Sequence, residues 1–479
     1  MLSQTTFRDP DGICWQQGER IFRFVHHAAA KRVRGFSESY FAQRLQAEGL
    51  LPRTRILGPD EAAELSAKAS SAGVDGDFRG ELVLEHERIP FQSYPHEWCP
   101  EMLFAAGELT LKLQLSALDA GLTLKDATPA NLLFRGTVPV FIDYLSFVPR
   151  RPGVGIWLAY AQFIRSFLLP LLLCRYQGEP TGNLLLCHRD GLEPEDLYRR
   201  LSVFSRLRPL ALQFVSLPTW LGRSKCAKTV RVDATAESPD SARADYIARA
   251  LVVRLQRAFR KLNPVSVSGS SVWSDYMASH SYEGPAFAAK ESFVRTALEE
   301  LAPRTVLDVG CNNGHFSCLA ATLGATVVAL DSDSNVVSQV WSRSHREKLP
   351  ILPLVMNLAQ PSPPLGWCNV EQASFLERAR GHFDAALLLA VTHHLTVTFG
   401  IPLPEVFRLM ADFVTGEIVV EFVPPEDPMF RQISCNKEHL IPKLGRPQFE
   451  AAYAPWFDLV RHISLPGSLR WMYLLRRKS

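Results

Sequence analysis

Nothing in this chain marks it for export, for a disulfide framework or for a zinc cluster. Cysteine occurs at positions 14, 99, 174, 187, 226, 311, 318, 368 and 435, with no C-x-x-C pair and no metal-ligand spacing. An odd, scattered set of this kind reads as reduced, mostly buried thiols and predicts no metal site. The N-terminus, MLSQTTFRDPDG, has no apolar signal core, which predicts a cytoplasmic protein. An excess of one charge is also missing. The formal net charge of +3 is too small by itself to imply nucleic acid or an anionic membrane. The short basic runs Lys31-Arg32-Val33-Arg34 and Arg476-Arg477-Lys478 read as solvated faces. One apolar run, Ile156 to Cys174, approaches bilayer length, but Arg165 and Pro170 interrupt it. A central Arg costs about 2.5–3.5 kcal/mol on insertion scales, so this run predicts a buried core helix and no membrane span.

What is present is the composition of a globular chain, 47% hydrophobic and 21% charged, and 479 residues leave room for two or three domains. The organising stretch is Thr305 to Val337. Thr305-Val306-Leu307-Asp308-Val309 is apolar and β-branched, as a strand buried on both faces should be. Gly310 and Gly314 bracket Cys311-Asn312-Asn313, where backbone must turn with positive φ or approach a ligand closely. A helix is expected from His315 to Leu323, stopped by Gly324, and a second strand from Thr326 to Leu330 delivers Asp331 at its carboxyl edge. An acid at that edge of a doubly wound sheet can hold ribose hydroxyls. The G-x-G-x-x-G pattern of dinucleotide folds is absent, and the spacing is Asp308-x-Gly310-x-x-x-Gly314.

That spacing resembles motif I of class I S-adenosylmethionine (SAM)-dependent methyltransferases. The resemblance implies SAM as cofactor and places Asp308, Gly310, Cys311, Asn312, Gly314, Asp331 and Ser332 around it. Downstream the alternation continues: a helix over Pro285–Leu301 before the motif, a third strand over Ile351–Met356 followed by Asn357, a helix over Glu371–Arg380 and a fourth strand over Phe383–Ala390. A helix over Pro404–Phe413, a fifth strand over Glu417–Val423, and two segments, Phe457–Leu465 and Arg470–Arg477, complete the series. The last two suit the antiparallel hairpin that closes methyltransferase sheets. In such a fold Asn357 meets the adenine and Ala390 flanks the cofactor. Lys290, on the helix before the motif, reads as a solvated charge, and the aromatics of Trp273–Tyr276 and His280–Tyr282 read as a lid or as packing on the sheet.

The acceptor end is marked by Val391-Thr392-His393-His394-Leu395, similar to small-molecule and tRNA-wobble methyltransferases. No Asn/Asp-Pro-Pro-aromatic motif and no Pro-Cys pair stand there, which weighs against two kinds of base methylation. His393 or His394 is a candidate general base, its unperturbed pKa lying near operating pH. Glu421, with Asp427, is a candidate acid for orienting the acceptor or a member of a structural ion pair.

The first half opens with a hairpin around Gln17-Gly18, joining Gly12–Trp15 to Arg20–Val25. A helix over Ser37–Glu48, a strand over Glu81–Glu85 and a long helix over Pro100–Ala120 follow. Next come Asp126, Asn131 and, after an apolar hairpin, Asp143. This run resembles the catalytic loop and metal-binding Asp of protein kinases and aminoglycoside-type phosphotransferases. No Gly-rich loop or V-A-I-K strand precedes it, position 124 is Leu, and Asp143 is followed by Tyr144-Leu145. A kinase-like domain without kinase activity is therefore expected. A polar stretch over 222–243 and a basic amphipathic helix over Ala242–Leu262 form the junction.

The expected architecture is thus α/β, a Rossmann-like class I methyltransferase sheet with a closing antiparallel hairpin over 271–479. It follows an α+β, kinase-like domain over 1–221 and a linker with a helix over 222–270. The runs LKDATPANLLF, PVFIDYLSF, VLDVGCNNGHFS, LAVTHHL and VVEFVPPEDPM resemble a bacterial family of two-part SAM-dependent methyltransferases, some carrying a nodulation label. The expected activity is methyl transfer to a small-molecule or glycan-type hydroxyl or amine. An RNA methyltransferase using the basic residues Arg254 to Lys261, and a non-catalytic SAM-binding or kinase-like scaffold, are the alternatives.

Overall fold

A computed structural model of the chain describes residues 5–6, 8–72, 82–223, 240–264, 284–434 and 444–478. The chain divides into two compact units, Met1–Val267 with Gly366–Glu371, and Ser268–Leu365 with Gln372–Ser479. The aromatics at 273–282 and much of the polar stretch at 222–243 lie outside the described residues.

The first unit begins with an antiparallel sheet in the order β1 (Thr5–Thr6), β2 (Gly12–Gln17), β3 (Arg20–Val25), β5 (Val83–His86), β4 (Thr54–Ile56). The β2–β3 hairpin forms as expected, with Gly18 in its two-residue loop at φ 59°. Alternate residues Trp15, Phe22 and Phe24 are buried together with Leu57, Leu65 and Val83. The single helix expected over Ser37–Glu48 is instead two, His27–Glu38 and Tyr40–Ala47, broken at Ser39. The Ser39 hydroxyl donates to the Phe36 carbonyl (2.6 Å) and accepts from the Ala42 N–H (3.2 Å), so one side chain ends the first helix and caps the second.

The helix Pro100–Asp119 is mostly buried and packs with the basic helix Ser241–Arg260. Arg249 pairs with Asp119 and Arg260 with Glu108 (2.9 Å), so part of the basic face is neutralised inside this unit. The apolar run after Ile156 is helical and buried, with Phe163, Phe167, Leu168, Leu169 and Leu172 at 0% exposure. Arg165 reaches Glu193 at 2.7 Å, and Pro170 follows the π-helical turn Ile164–Leu168 inside a continuous helical run, where the Arg165 carbonyl accepts from the Leu192 N–H at 2.9 Å. No described helix is long and apolar enough to cross a membrane.

The second unit carries a seven-stranded sheet in the order β12 (Ile351–Val355), β11 (Thr326–Asp331), β10 (Thr305–Val309), β13 (Phe383–Leu388), β14 (Val414–Phe422), β16 (Trp471–Arg477), β15 (Phe457–Ser464). Five strands are parallel, and β16 enters antiparallel between β14 and β15. β10, central and apolar, lies between β11 and β13, pairing Val306 with both Val327 and Ala385. The helix expected over Glu371–Arg380 is confined to Phe375–Ala379. Ser374 and Glu377 form a reciprocal capping box there, which starts the helix late. A further helix, Ser334–Glu347, follows β11.

Candidate active site

The reversal of strand order on either side of β10 opens a crevice at the carboxyl ends of β10, β11 and β13, where open α/β sheets take ligands. A cavity of about 570 Å³ occupies it, within the range of small-molecule sites. Its floor is the turn after β10. Gly310 has φ 70°, and a Cβ there would stand 3.1 Å from Val391 Cγ2. Gly314, at φ 73°, heads the helix His315–Thr322, and a Cβ there would come within 3.0 Å of Val340. Both positions need glycine for conformation and for room. Asn312 between them is also left-handed, with φ 47°.

Two acids face this turn. Asp331, ending β11, accepts from the Asn312 N–H (3.1 Å) and the Asp333 N–H (3.0 Å). Burial raises its pKa above the ordinary carboxylate value, and those N–H bonds oppose the rise. Asp308 is 2% exposed and accepts from the Ser317 hydroxyl at 2.5 Å. Burial pushes its carboxyl up to about 6, with Ser317 and Lys290 pulling the other way.

Of the expected cofactor residues, Asp308, Gly310, Cys311, Asn312, Asp331, Ser332, Asn357 and Ala390 all line the cavity. Gly314 does not; it shapes the turn from behind. Asn357 accepts from the Ala359 N–H (3.0 Å), an Asx turn that fixes its side chain. Ala390, at φ 56°, turns the chain out of β13 toward the two histidines.

His393 and His394 line the same cavity with their rings 4.3 Å apart. His393 is 5% exposed, and its Nδ1 meets no hydrogen-bond partner among the described residues. Burial, and secondarily His394, lowers its pKa to about 3, and burial lowers that of His394. Both rings are neutral at neutral pH.

Beside them lies a buried ionic cluster. Lys290 Nζ donates to Glu421 at 2.6 Å, and Arg470 donates to Glu421 at 3.1 Å and to both oxygens of Asp427 at 2.7 and 3.1 Å. Lys290 is 7% exposed and lines the cavity, which corrects its reading as a solvated charge. Glu421 is fully buried and is not part of the cavity wall; it meets Lys290 and Arg470, which are. Sequence reasoning missed Arg470, Phe287, Phe316 and Phe399, which also line the cavity. Arg470 had a signal, a lone cation at the start of the last strand, but its partners are 43 and 49 residues away.

The second acid loop lies in the first unit. Asp126 and Asn131 lie between β6 (Leu122–Leu124) and the hairpin of β7 (Leu132–Arg135) with β8 (Val138–Phe141), and Asp143 lies between β8 and β9 (Phe147–Pro149). The Arg23 guanidinium stands 3.7 Å from Asp143, and Lys125 donates to Asp9 (2.9 Å) and Asp11 (2.7 Å).

The residues at the crevice fit SAM by their donor set. A carboxylate stands at the end of β11 where a ribose diol would bind, and the backbone of the turn at Gly310, Cys311 and Asn312 lines the cavity. Residues 307–414 match the family described as a methyltransferase domain. Fold, crevice and match define a class I SAM-dependent methyltransferase. The chain belongs to the family of the nodulation protein NoeA of Rhizobium meliloti (strain 1021), with which it is 31% identical over 480 residues, 98% of this chain and 95% of that protein. It is also 31% identical over 134 residues, 28% of this chain and 17% of the relative, to the Escherichia coli O-antigen chain terminator bifunctional methyltransferase/kinase WbdD. Among solved structures, the N-methyltransferase NodS from Bradyrhizobium japonicum WM9 aligns with 41% of this chain and 99% of its own, at 13% identity and a TM-score of 0.31.

Proposed function

We propose that the enzyme methylates a hydroxyl or amine on a glycan-type or small-molecule acceptor, with His394 as the base. The observation that carries this is the neutral histidine pair in the cavity wall, one ring with a buried nitrogen lacking a partner. SAM, when bound, supplies an electrophilic methyl group. The chain's own residues hold the acceptor in line and remove its proton. Proximity and orientation then account for much of the rate, and no covalent enzyme intermediate is needed. With its pKa near 3, His393 is too weak a base to take a hydroxyl proton, and its unpartnered Nδ1 suits a hydrogen bond that orients a ligand. A nitrogen of His394, less depressed, accepts the proton as the new bond to carbon forms. Glu421 acts as a positioning residue through Lys290 and Arg470. Asp331 and Ser332 hold the cofactor's sugar, Asn357 its base, and the Gly310–Asn312 turn its amino-acid end. The name of the Escherichia coli relative, a terminator of O-antigen chains, supports a glycan acceptor.

Methyl-labelled SAM, incubated with cell extract and with candidate glycans, tests this reading. Label should pass to a saccharide or small amine. His394→Ala should lower turnover at least about 10²-fold, with SAM affinity unchanged by calorimetry. Label entering RNA instead, or full activity in His394→Ala, would overturn it.

A second reading concerns the first unit, for which we infer a kinase-like domain without phosphotransfer. Its support is the placement of Arg23 against Asp143, a cation of the chain's own where that loop type holds a divalent metal. This unit and the methyltransferase site are expected to act within one soluble, cytoplasmic enzyme. Magnesium-ATP should not shift its melting temperature; a shift abolished by Asp143→Ala would revive phosphotransfer.

A further inference from the structure

The charged groups of the methyltransferase cavity are divided by sign along its wall. Among the described residues that line it, the only acids are Asp308 and Asp331, at the carboxyl ends of β10 and β11. Toward β14 and β16 the charged lining groups are Lys290 and Arg470, both cations. Arg470 stands just before β16, which pairs with β14 through Trp471 and Phe422. The carboxylates that answer them, Glu421 and Asp427, are 0% and 5% exposed and do not line the cavity. Each cation donates to Glu421, at 2.6 and 3.1 Å, so the cations form the wall and the acids lie behind it. His393 and His394, which follow β13, are kept neutral mainly by burial. The remaining ring in the wall, His315, meets Glu291 at 3.1 Å, and that acid is likewise outside the lining.

This division selects among nucleophiles. An amine of the lysine type has a pKa near 10, so at neutral pH roughly one molecule in 10³ carries the lone pair that methyl transfer needs. Binding the rest requires a carboxylate facing the ligand, because a buried ammonium without an anionic partner is strongly disfavoured. At the acceptor end it would meet two cations, with the sulfonium of SAM as a third positive charge. The rings offer little in exchange, since Phe316 already has the Lys290 ammonium 5.0 Å from its centre. A hydroxyl is uncharged, and it gains partial negative charge as its proton leaves, which neighbouring cations stabilise. A carboxylate acceptor would suit the cations too, but it has no proton to give, and the neutral histidine pair would then be idle.

We propose that the acceptor group is an alcohol hydroxyl, that the product is a methyl ether, and that Lys290 and Arg470 turn amines away. This rests on the acceptor reading above and on its base, His394. The acceptor oxygen bonds to the methyl carbon as the carbon–sulfur bond breaks, its electron pair staying on sulfur, and the O–H proton passes to His394. Incubating the full chain with cell extract and SAM labelled at its methyl carbon, then reading that carbon by NMR, tests the proposal. The methoxy signal of an ether is distinct from an N-methyl signal and from a methyl ester, which mild alkali also cleaves. Wild type should give ether as the main product, a result that stands whether or not any variant folds. Lys290→Gln keeps a donor to Glu421 but removes one charge, and should raise the ratio of N-methyl to ether label at least about tenfold. N-methyl or ester label as the main wild-type product would overturn the proposal while leaving a saccharide or small-molecule acceptor in place. A ratio unmoved in a Lys290→Gln chain that still binds SAM in calorimetry would overturn the role given to the cations. Label entering RNA would instead overturn the acceptor reading, and this inference with it.

Discussion

At the end of β11, Asp331 is met by two backbone N–H groups, whereas Asp143, past β8, is met by the guanidinium of Arg23. Asp331 ends its strand and Asp143 lies two residues past the end of β8, and both follow a pattern known from ligand-binding loops. Backbone donors orient a carboxylate yet carry no net charge, so Asp331 still presents its charge to the 570 Å³ cavity. A neighbouring side-chain cation instead offsets the charge that a metal would need. Residue type at a strand end is therefore a weaker guide to ligand binding than the source of the charge that answers it.

The largest effect that sharpens this contrast is expected within the methyltransferase unit itself. Arg470→Met leaves Asp427 and Glu421 buried with one cation fewer, and should cost about 3–5 kcal/mol in urea unfolding of that unit. A loss under about 1 kcal/mol would mean that the cluster is hydrated, contrary to its burial. Next in size, Asp331→Ala should weaken SAM binding by about 10- to 100-fold in calorimetry, the value of a hydrogen bond to a charged group. An unchanged affinity would remove the contrast with Asp143.

A pH series gives a smaller effect with a defined sign. His393 has a folded pKa of about 3 against an ordinary 6.5, so it contributes stability that is complete above 6.5 and is lost as pH falls from there toward 3. His393→Asn should flatten the acid limb of a melting-temperature profile across that window. Asp308 works in the opposite sense, because its folded pKa of about 6 exceeds the usual 3.8. It costs stability as pH rises between those values, so Asp308→Asn should raise the stability of the cofactor-free protein above pH 6. An unchanged profile in both variants would show the two groups to be hydrated. With His394 as the proposed base, the acid limb of the turnover profile should lie below pH 6.5, because burial lowers the pKa of that ring from its ordinary value.

Much of the second unit was legible because its signals are local. Strand β10, the glycine turn and Asp331 lie within one short stretch, and parallel strands buried on both faces announce themselves by apolar runs. The helix Pro285–Leu301 matches its expected limits for the same reason, with Pro in the first turn. The helix near 371–380 was overextended because its capping box, Ser374 with Glu377, competes successfully with the weaker start at Glu371. In the first unit, Ser39 splits a helix that periodicity alone would have continued.

Chemistry that depends on distant pairs was not legible. Lys290 looks like any helix-surface lysine in sequence, and only the arrival of Glu421, 131 residues later, shows it to be buried and paired. Local sequence determined the β-α-β unit, its glycines and the acid at the end of its second strand, because backbone conformation and strand burial act over a few residues. Tertiary structure alone decided which charges are open to a ligand and which are cancelled, because that depends on side chains brought within a few ångströms from remote parts of the chain.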